Sequence, residues 1–144
     1  MLRDETRARA RALQLLYAWE SDGRPDVEEL ARRMTRLTRS RERVMQPALE
    51  LARGVIAECG ELEATFGDAA EHWRLDRLAL VDRNILRLAV YELVHERVPP
   101  KVAIDEALWL AHRFGGRQSA AFVNGVLDHV AGVLGAKEKQ RSAE

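Results

Sequence analysis

Apolar residues recur every three or four positions along most of the chain, the spacing that places them on one face of an α-helix. In the first such segment, Ala12, Leu13 and Leu16 are predicted to share a face. Alternating runs rich in β-branched residues, which are typical of strands, are missing. The sequence therefore predicts an all-α protein of about seven helices. They are expected at about residues 6–20, 26–36, 40–60, 62–71, 75–94, 100–114 and 119–136.

Segments rich in Gly, Pro and polar residues separate these helices. Residues 21–25 end the first helix, and Asp26 offers an N-cap to the second, with Glu29 three residues later in the spacing of a capping box. The prolines at 99–100 fit the first turn of the sixth helix, and the glycines at 115–116 fit its end. These signals support the predicted boundaries.

The segment 75–94 differs from the others because it is apolar on most sides. A helix that is apolar almost all round is usually buried at the centre of a fold. We therefore expect this segment to be the central helix. Its apolar residues include Leu78, Leu80, Val81, Ile85, Leu86, Leu88, Val90 and Leu93.

The length of 144 residues fits one domain. Residues 1–136 are interpreted as a single helical domain, and the polar residues 137–144 as a C-terminal tail that frays. No run of 18 apolar residues occurs, and no apolar signal segment follows Met1. Cys59 is the single cysteine, which fits a reducing compartment. We expect a cytoplasmic protein without a membrane partner.

The 23 basic and 23 acidic side chains give a formal net charge of zero, so the strongly basic composition of many nucleic-acid-binding domains is absent. The arginines are clustered instead. Arg7, Arg9 and Arg11 lie near the N-terminus, and six more lie within residues 32–43, where Glu42 is the only acidic residue. Such clusters can contact phosphates, but they also occur as solvated helix faces. The charge pattern alone leaves both interpretations open.

Catalytic and metal-binding motifs are absent from the sequence. The four histidines lie far apart, and none belongs to a metal-ligand pair. Ser40 and Ser119 lie near predicted helix starts, where capping explains them. Asp105 and Glu106 are adjacent, so a helix would point them about 100° apart, a poor geometry for acid–base catalysis. We therefore predict no enzymatic activity, no cofactor and no metal ion.

Three longer motifs follow one another along the chain. Residues 7–19 read RARARALQLLYAW, and residues 81–93 read VDRNILRLAVYEL. The third motif begins with VPPKVAIDEA at 98–107 and continues through RFGG at 113–116 to FVNGVLD at 122–128. Together they resemble the NusB family of bacterial transcription antitermination proteins over about residues 6–134.

The resemblance implies two packed three-helix bundles that share a central helix. It also implies binding to boxA, a single-stranded element of ribosomal RNA leader transcripts, together with NusE, a ribosomal protein of the small subunit. The pair would act in the RNA polymerase antitermination complex and support ribosomal RNA transcription and maturation.

Site residues follow from the motif positions. The RNA face implied by the resemblance comprises Arg7, Arg9, Lys101 and Gln118, and Arg11 and Arg117 are added on charge alone. The exposed side of the central helix would face NusE, with Asp82 and Arg87 as candidates. Phe122 lies in the third motif and is predicted to be a core residue.

Three positions depart from the family pattern. Glu5 lies where relatives often carry another arginine, and an anion there weakens the attraction for phosphate. Pro100 replaces a tyrosine common in relatives and removes a possible stacking group. Gln118 replaces an aspartate, which removes a charge but keeps hydrogen-bonding capacity.

Two other classes of function are compatible with a helical chain. The balanced charge also fits a protein-interaction scaffold or a homodimer with weak or no RNA binding. Similar helical domains precede the catalytic domain of some RNA cytosine methyltransferases, but this sequence contains neither a nucleotide-binding α/β domain nor a catalytic cysteine motif.

Overall fold

The computed structural model describes residues 2–69 and 78–143. The chain divides into two compact units, Met1–Cys59 and Gly60–Glu144, which we call unit 1 and unit 2. The interpretation of residues 1–136 as a single domain stays a prediction.

Seven α-helices and no strands occur in the part of the chain that the structure describes, which confirms the all-α prediction. They are α1 (Asp4–Ser21), α2 (Val27–Thr38), α3 (Glu42–Ala57), α4 (Cys59–Gly67), α5 (Leu80–Val94), α6 (Pro100–Phe114) and α7 (Ser119–Ala143). The fourth helix was expected at 62–71 but spans Cys59–Gly67, and residues 68–69 form a turn. The central helix was expected at 75–94, but residues 78–79 are not helical and α5 begins at Leu80. The parts of both predictions that fall on residues 70–77 lie outside the described residues.

The core of unit 1 forms mainly between α1 and α3, and α2 packs against both. Leu15 and Leu16 of α1 and Val55 of α3 are fully buried there. Adjacent leucines can both be buried because α1 is covered on more than one side. Each fully buried Leu or Val side chain contributes about 1.5–3 kcal/mol of hydrophobic stabilisation.

The start of α2 confirms half of the predicted capping box. The Asp26 carboxylate accepts a hydrogen bond from the backbone N–H of Glu28 at 3.1 Å, as an N-cap should. Glu29 was expected to reach back towards Asp26, but its Oε2 accepts from Arg32 at 2.6 Å instead. An oppositely charged partner one turn away therefore replaces the second bond of the box.

The boundary after α3 differs from the prediction. The third helix was expected to end at residues 59–60, but it ends at Ala57, and Cys59 and Gly60 lie in the first turn of α4. The backbone N–H of Glu58 bonds to the carbonyl of Val55 at 3.2 Å. This bond spans three residues instead of the four of an α-helix, so it tightens the last turn. Helix α3 therefore ends two to three residues before the predicted position.

Helix α5 has more buried residues than any other described helix of unit 2, as its apolar sequence predicted. It packs against α6 and α7, which also pack against each other. Ile85, Leu86 and Val90 are completely buried. Buried α5 residues therefore point in several directions around the helix, which explains why the sequence shows no polar face there.

Helix α7 continues through the polar residues 137–143, which were expected to fray, and ends at Ala143. The residues beyond Ala136 remain exposed, so their helical hydrogen bonds rather than core contacts keep this extension regular. One 18-residue window of α7 has a mean hydropathy of 1.2, enough by composition for a membrane span, and 33% of that window is buried. A core helix passes the same composition test, and Val123, Val126 and Leu127 of α7 lie in the core of unit 2.

Candidate nucleic-acid interface

The arginines near the N-terminus lie on a helix, because α1 begins at Asp4. Arg7 is the most accessible of the three, with 45% of its side chain exposed. Its NH1 lies 3.9 Å from Oδ1 of Asp4, and the other oxygen of Asp4 lies 3.1 Å from Nε of Arg43. Asp4 therefore partly neutralises two cations on this surface.

Arg9 is buried in unit 1, with only 7% of the residue exposed. Positions 7 and 9 lie on different sides of a helix because successive residues turn by about 100°. In this conformation Arg9 supports the core side of α1, and a direct phosphate contact would require its side chain to leave that environment.

Arg11 connects α1 to the turn between α2 and α3. Its Nε donates to Oγ of Ser40 at 2.8 Å, and its NH1 donates to Oε1 of Gln14, also at 2.8 Å. The Ser40 hydroxyl also shares a hydrogen bond with Thr38 at 2.7 Å. Arg11 therefore holds a turn in place, a role that its charge alone did not indicate.

The remaining candidate RNA residues lie at opposite ends of α6 in unit 2. Lys101 is exposed in the first turn of α6, and Arg117 and Gln118 are exposed in the turn between α6 and α7. A helix of 15 residues separates its two ends by about 20 Å. Lys101 and Gln118 can therefore contact the same RNA only if the strand runs along the helix.

The α6–α7 turn is built by a close approach between its glycines and the start of α7. The backbone N–H of Gly116 donates to Oγ of Ser119 at 2.9 Å. A Cβ atom on Gly115 would lie 2.6 Å from Cβ of Ser119 and 2.7 Å from the carbonyl oxygen of Ala111. Gly115 is therefore required by space, and it fixes the segment that presents Arg117 and Gln118.

Two half-exposed aromatic rings lie just before this turn. Trp109 and Phe114 pack edge to face with ring centroids 6.5 Å apart, and the guanidinium of Arg113 lies 5.3 Å from the Phe114 ring centroid. Aromatic rings and guanidinium planes are the groups on which unpaired RNA bases stack. The position of Phe114 at the end of its helix is a sequence signal of this partial exposure.

Phe122 is buried in unit 2 with 8% exposure, in agreement with its predicted core position. Asn124, two residues later on α7, is exposed. The third motif therefore combines a core residue with a surface residue.

Arg87 does not lie on an exposed side of α5, and that expectation is wrong. The residue is 1% exposed. Its Nε donates to Oε1 of Glu63 at 3.0 Å, its NH2 contacts the same oxygen, and its NH1 donates to Oδ1 of Asn84 at 2.8 Å. A buried guanidinium needs such partners because burying an unpaired charge is very unfavourable. Arg87 therefore joins α4 to α5.

Asp82, the other candidate for a protein partner, lies on the first turn of α5 and is half-buried. Its Oδ1 is buried and has no hydrogen-bond partner among the residues that the structure describes. Buried carboxylate oxygens usually accept hydrogen bonds.

Comparison with known proteins identifies the family. The model of the NusB family matches residues 6–132. The chain belongs to the NusB family. The transcription antitermination protein NusB of Anaeromyxobacter sp. (strain Fw109-5) is 46% identical over 129 residues, which cover 90% of each protein.

Solved structures of NusB proteins have the same fold. T. maritima NusB matches with a TM-score of 0.76 and 35% identity over 87% of this chain and 89% of that one. A structure of the antitermination factors NusB and NusE in complex with double-stranded RNA matches with a TM-score of 0.80 and 26% identity, over 92% of this chain and 99% of that one. These NusB relatives support the family assignment that the three sequence motifs predicted.

Proposed function

We propose that this NusB-family protein is a transcription antitermination factor. It binds boxA-type single-stranded RNA of ribosomal RNA leader transcripts together with NusE, and it supports ribosomal RNA transcription and maturation within the RNA polymerase antitermination complex. The observation that carries the NusE and RNA partners is the match to a structure described as NusB and NusE in complex with double-stranded RNA, which covers 92% of this chain. The single-stranded boxA target follows from the family resemblance of the three sequence motifs.

Each unit offers exposed polar groups as proposed RNA contacts. Arg7 in unit 1 and Lys101, Arg117 and Gln118 in unit 2 are all accessible to solvent. Cations that contact phosphates release bound counterions, so the affinity should fall as the salt concentration rises. Arg9 and Arg11 remain candidates, but Arg9 must first leave the core and Arg11 must give up its bonds to Ser40 and Gln14.

The α6–α7 turn also offers base recognition. The amide of Gln118 can donate and accept hydrogen bonds with a base edge. Phe114 and Arg113 lie four to five residues earlier in the chain, and they provide a flat surface for stacking.

Asp82 is the proposed contact for NusE. The residue is only half-buried in the first turn of α5, so part of it stays accessible to a donor from NusE. Arg87 would act indirectly, because its bonds to Glu63 and Asn84 hold α5 in place.

The protein is proposed to act by binding alone, in the cytoplasm, without catalysis, cofactor or metal ion. Transcription takes place in the bacterial cytoplasm, which is why the compartment follows from the proposed role. In residues 2–69 and 78–143, no group of three His, Cys, Asp or Glu side chains is arranged to hold a metal ion.

The test is a titration of boxA-like single-stranded RNA with the full chain, with and without NusE, at two salt concentrations. We expect salt-sensitive binding that NusE strengthens. Arg7→Ala should weaken binding several-fold and reduce the salt dependence by about one counterion. Arg53→Ala removes an arginine that pairs with Glu28 in unit 1 and should leave RNA affinity unchanged.

The burial of Arg9 and the neutralisation of Arg7 by Asp4 favour a second candidate, a helical scaffold or homodimer with weak or no RNA binding. If the chain bound no RNA even with NusE present, this second function would replace the first. Sedimentation of the chain alone would then identify a homodimer.

A further inference from the structure

The C-terminal half of α2 exposes an apolar side chain among unpaired cations. Leu37 is 85% exposed, more than any other large apolar residue in the described part of unit 1. Arg33, one helical turn before Leu37, and Arg36 beside it have guanidinium groups without an ion pair or hydrogen bond to any described residue. The same holds for Arg39 and Arg41 in the following turn.

The other cations nearby are already neutralised. Arg32 pairs with Glu29, and the hydrogen bond from Arg32 holds the pKa of the Glu29 carboxyl below its usual value. Arg43 pairs with Asp4 at 3.1 Å. The unpaired charge is therefore concentrated at the end of α2 and in the turn that follows, rather than spread over all six arginines.

An apolar groove of 290 Å³ lies beside this cluster, between α1 and α2. Ala18, Leu30 and Met34 line it together with Leu37 and Arg33. On α2, residues 30, 34 and 37 share a face because they are spaced by four and three positions. We call the groove together with Arg33, Arg36 and Leu37 the α2 surface.

The α2 surface is held in shape by polar contacts at its end. Thr38 lines the groove and hydrogen-bonds Ser40, and Arg11 donates to both Ser40 and the groove residue Gln14. The groove therefore exists before any partner binds, which reduces the ordering that binding requires.

We propose that the α2 surface is a docking site for a short acidic amphipathic helix of a partner protein. The apolar side of such a helix would cover Leu37 and fill the groove over Met34, in the manner of helix-in-groove recognition. Its carboxylates would pair with Arg33 and Arg36. RNA phosphates could satisfy the arginines, but they would leave Leu37 and the groove exposed to water.

The experiment uses the full chain and two fluorescein-labelled peptides of identical composition. One peptide has leucines at positions i, i+3, i+4 and i+7 and glutamates at most others, and the second has the same residues in an order without an apolar face. Fluorescence anisotropy should show saturable binding of the first peptide and much weaker binding of the second. The α2 amide resonances should shift with the first peptide only.

Two variants test the two halves of the surface against matched controls. Leu37→Gln should weaken binding about ten-fold, because it removes one buried leucine contact. Val133→Gln on α7, an apolar residue 41% exposed in unit 2, should have no effect. Arg33→Glu with Arg36→Glu should weaken binding at least as much and reverse its salt dependence, whereas Arg141→Glu on α7 should not.

The proposal is overturned if the amphipathic peptide does not bind, or if Leu37→Gln leaves its affinity unchanged. It is also overturned if a boxA-like RNA shifts the α2 resonances and the peptide does not, because the surface would then belong to nucleic acid. Circular dichroism of each variant confirms that the helices are retained.

Discussion

The α2–α3 turn of unit 1 and the α6–α7 turn of unit 2 both expose arginines, but they are held by different means. In the first, Arg11 from α1 reaches Ser40 across 29 positions of sequence. In the second, Gly115, Gly116 and Ser119 contact one another within five residues. The α2–α3 turn therefore depends on a side chain from a distant part of the sequence. The α6–α7 turn depends instead on the absence of a Cβ atom at Gly115.

The largest effect on stability is expected at Gly115, where a Cβ atom would have the least space. Gly115→Ala should lower the free energy of unfolding by about 2 kcal/mol, because the new methyl group would overlap Ser119 and the carbonyl of Ala111. Urea denaturation measures this change.

Gly116→Ala is the matched control, since its Cβ would meet only Oγ of Ser119 at 3.9 Å. Its effect should stay within about 0.5 kcal/mol. If the two substitutions destabilised the protein equally, the turn would not depend on the close approach at Gly115.

The next largest effect on stability tests the hydrogen bond between Arg11 and Ser40. Arg11→Ala should lower the free energy of unfolding by about 1–1.5 kcal/mol, because it removes two hydrogen bonds from a charged donor in a partly buried setting. Arg7→Ala, which removes an exposed cation 3.9 Å from Asp4, should cost less than about 0.5 kcal/mol.

A double-mutant cycle measures whether Arg11 and Ser40 stabilise the turn through their shared hydrogen bond. If Arg11 supports the turn through Ser40, then Ser40→Ala should cost less once Arg11→Ala is present, because the exposed bond to Thr38 is then the Ser40 bond left to lose. Strictly additive costs would contradict the bond. The cycle also matters for RNA binding, because a loss of RNA affinity in Arg11→Ala would then include a displaced turn.

Local signals explain what the sequence predicted correctly. The helix-end role of Gly115, the N-cap Asp26 and the burial of α5 on most sides all follow from residues close together in the sequence. The predicted second half of the capping box was wrong, because Arg32 competes for Glu29 within the same turn. Local competition of this kind is visible in the sequence, but its outcome depends on side-chain geometry.

Non-local partners explain what the sequence could not predict. Arg87 and the exposed arginines have identical side chains, but Arg87 is buried beside Glu63, 24 residues earlier in the sequence, which accepts its hydrogen bond. Arg9 likewise lies between two more accessible arginines of the same motif. Motif position therefore indicated the family, but it did not show which arginines the fold uses internally.

The smallest effect has the opposite sign and concerns the backbone of the α2–α3 turn. Arg39 adopts left-handed angles, φ 54° and ψ 32°, at the C-terminus of α2, a conformation that glycine adopts with less strain. Arg39→Gly should therefore raise the free energy of unfolding by about 0.5–1 kcal/mol. Arg41→Gly, at an extended φ of −74°, relieves no strain. It should lower the free energy of unfolding by a similar amount, because glycine loses more conformational entropy on folding.

Urea denaturation of both variants separates backbone strain from loss of charge, since each removes one unpaired cation from the same turn. Equal shifts in one direction would mean that repulsion among the arginines, rather than the left-handed residue, limits the stability of this turn.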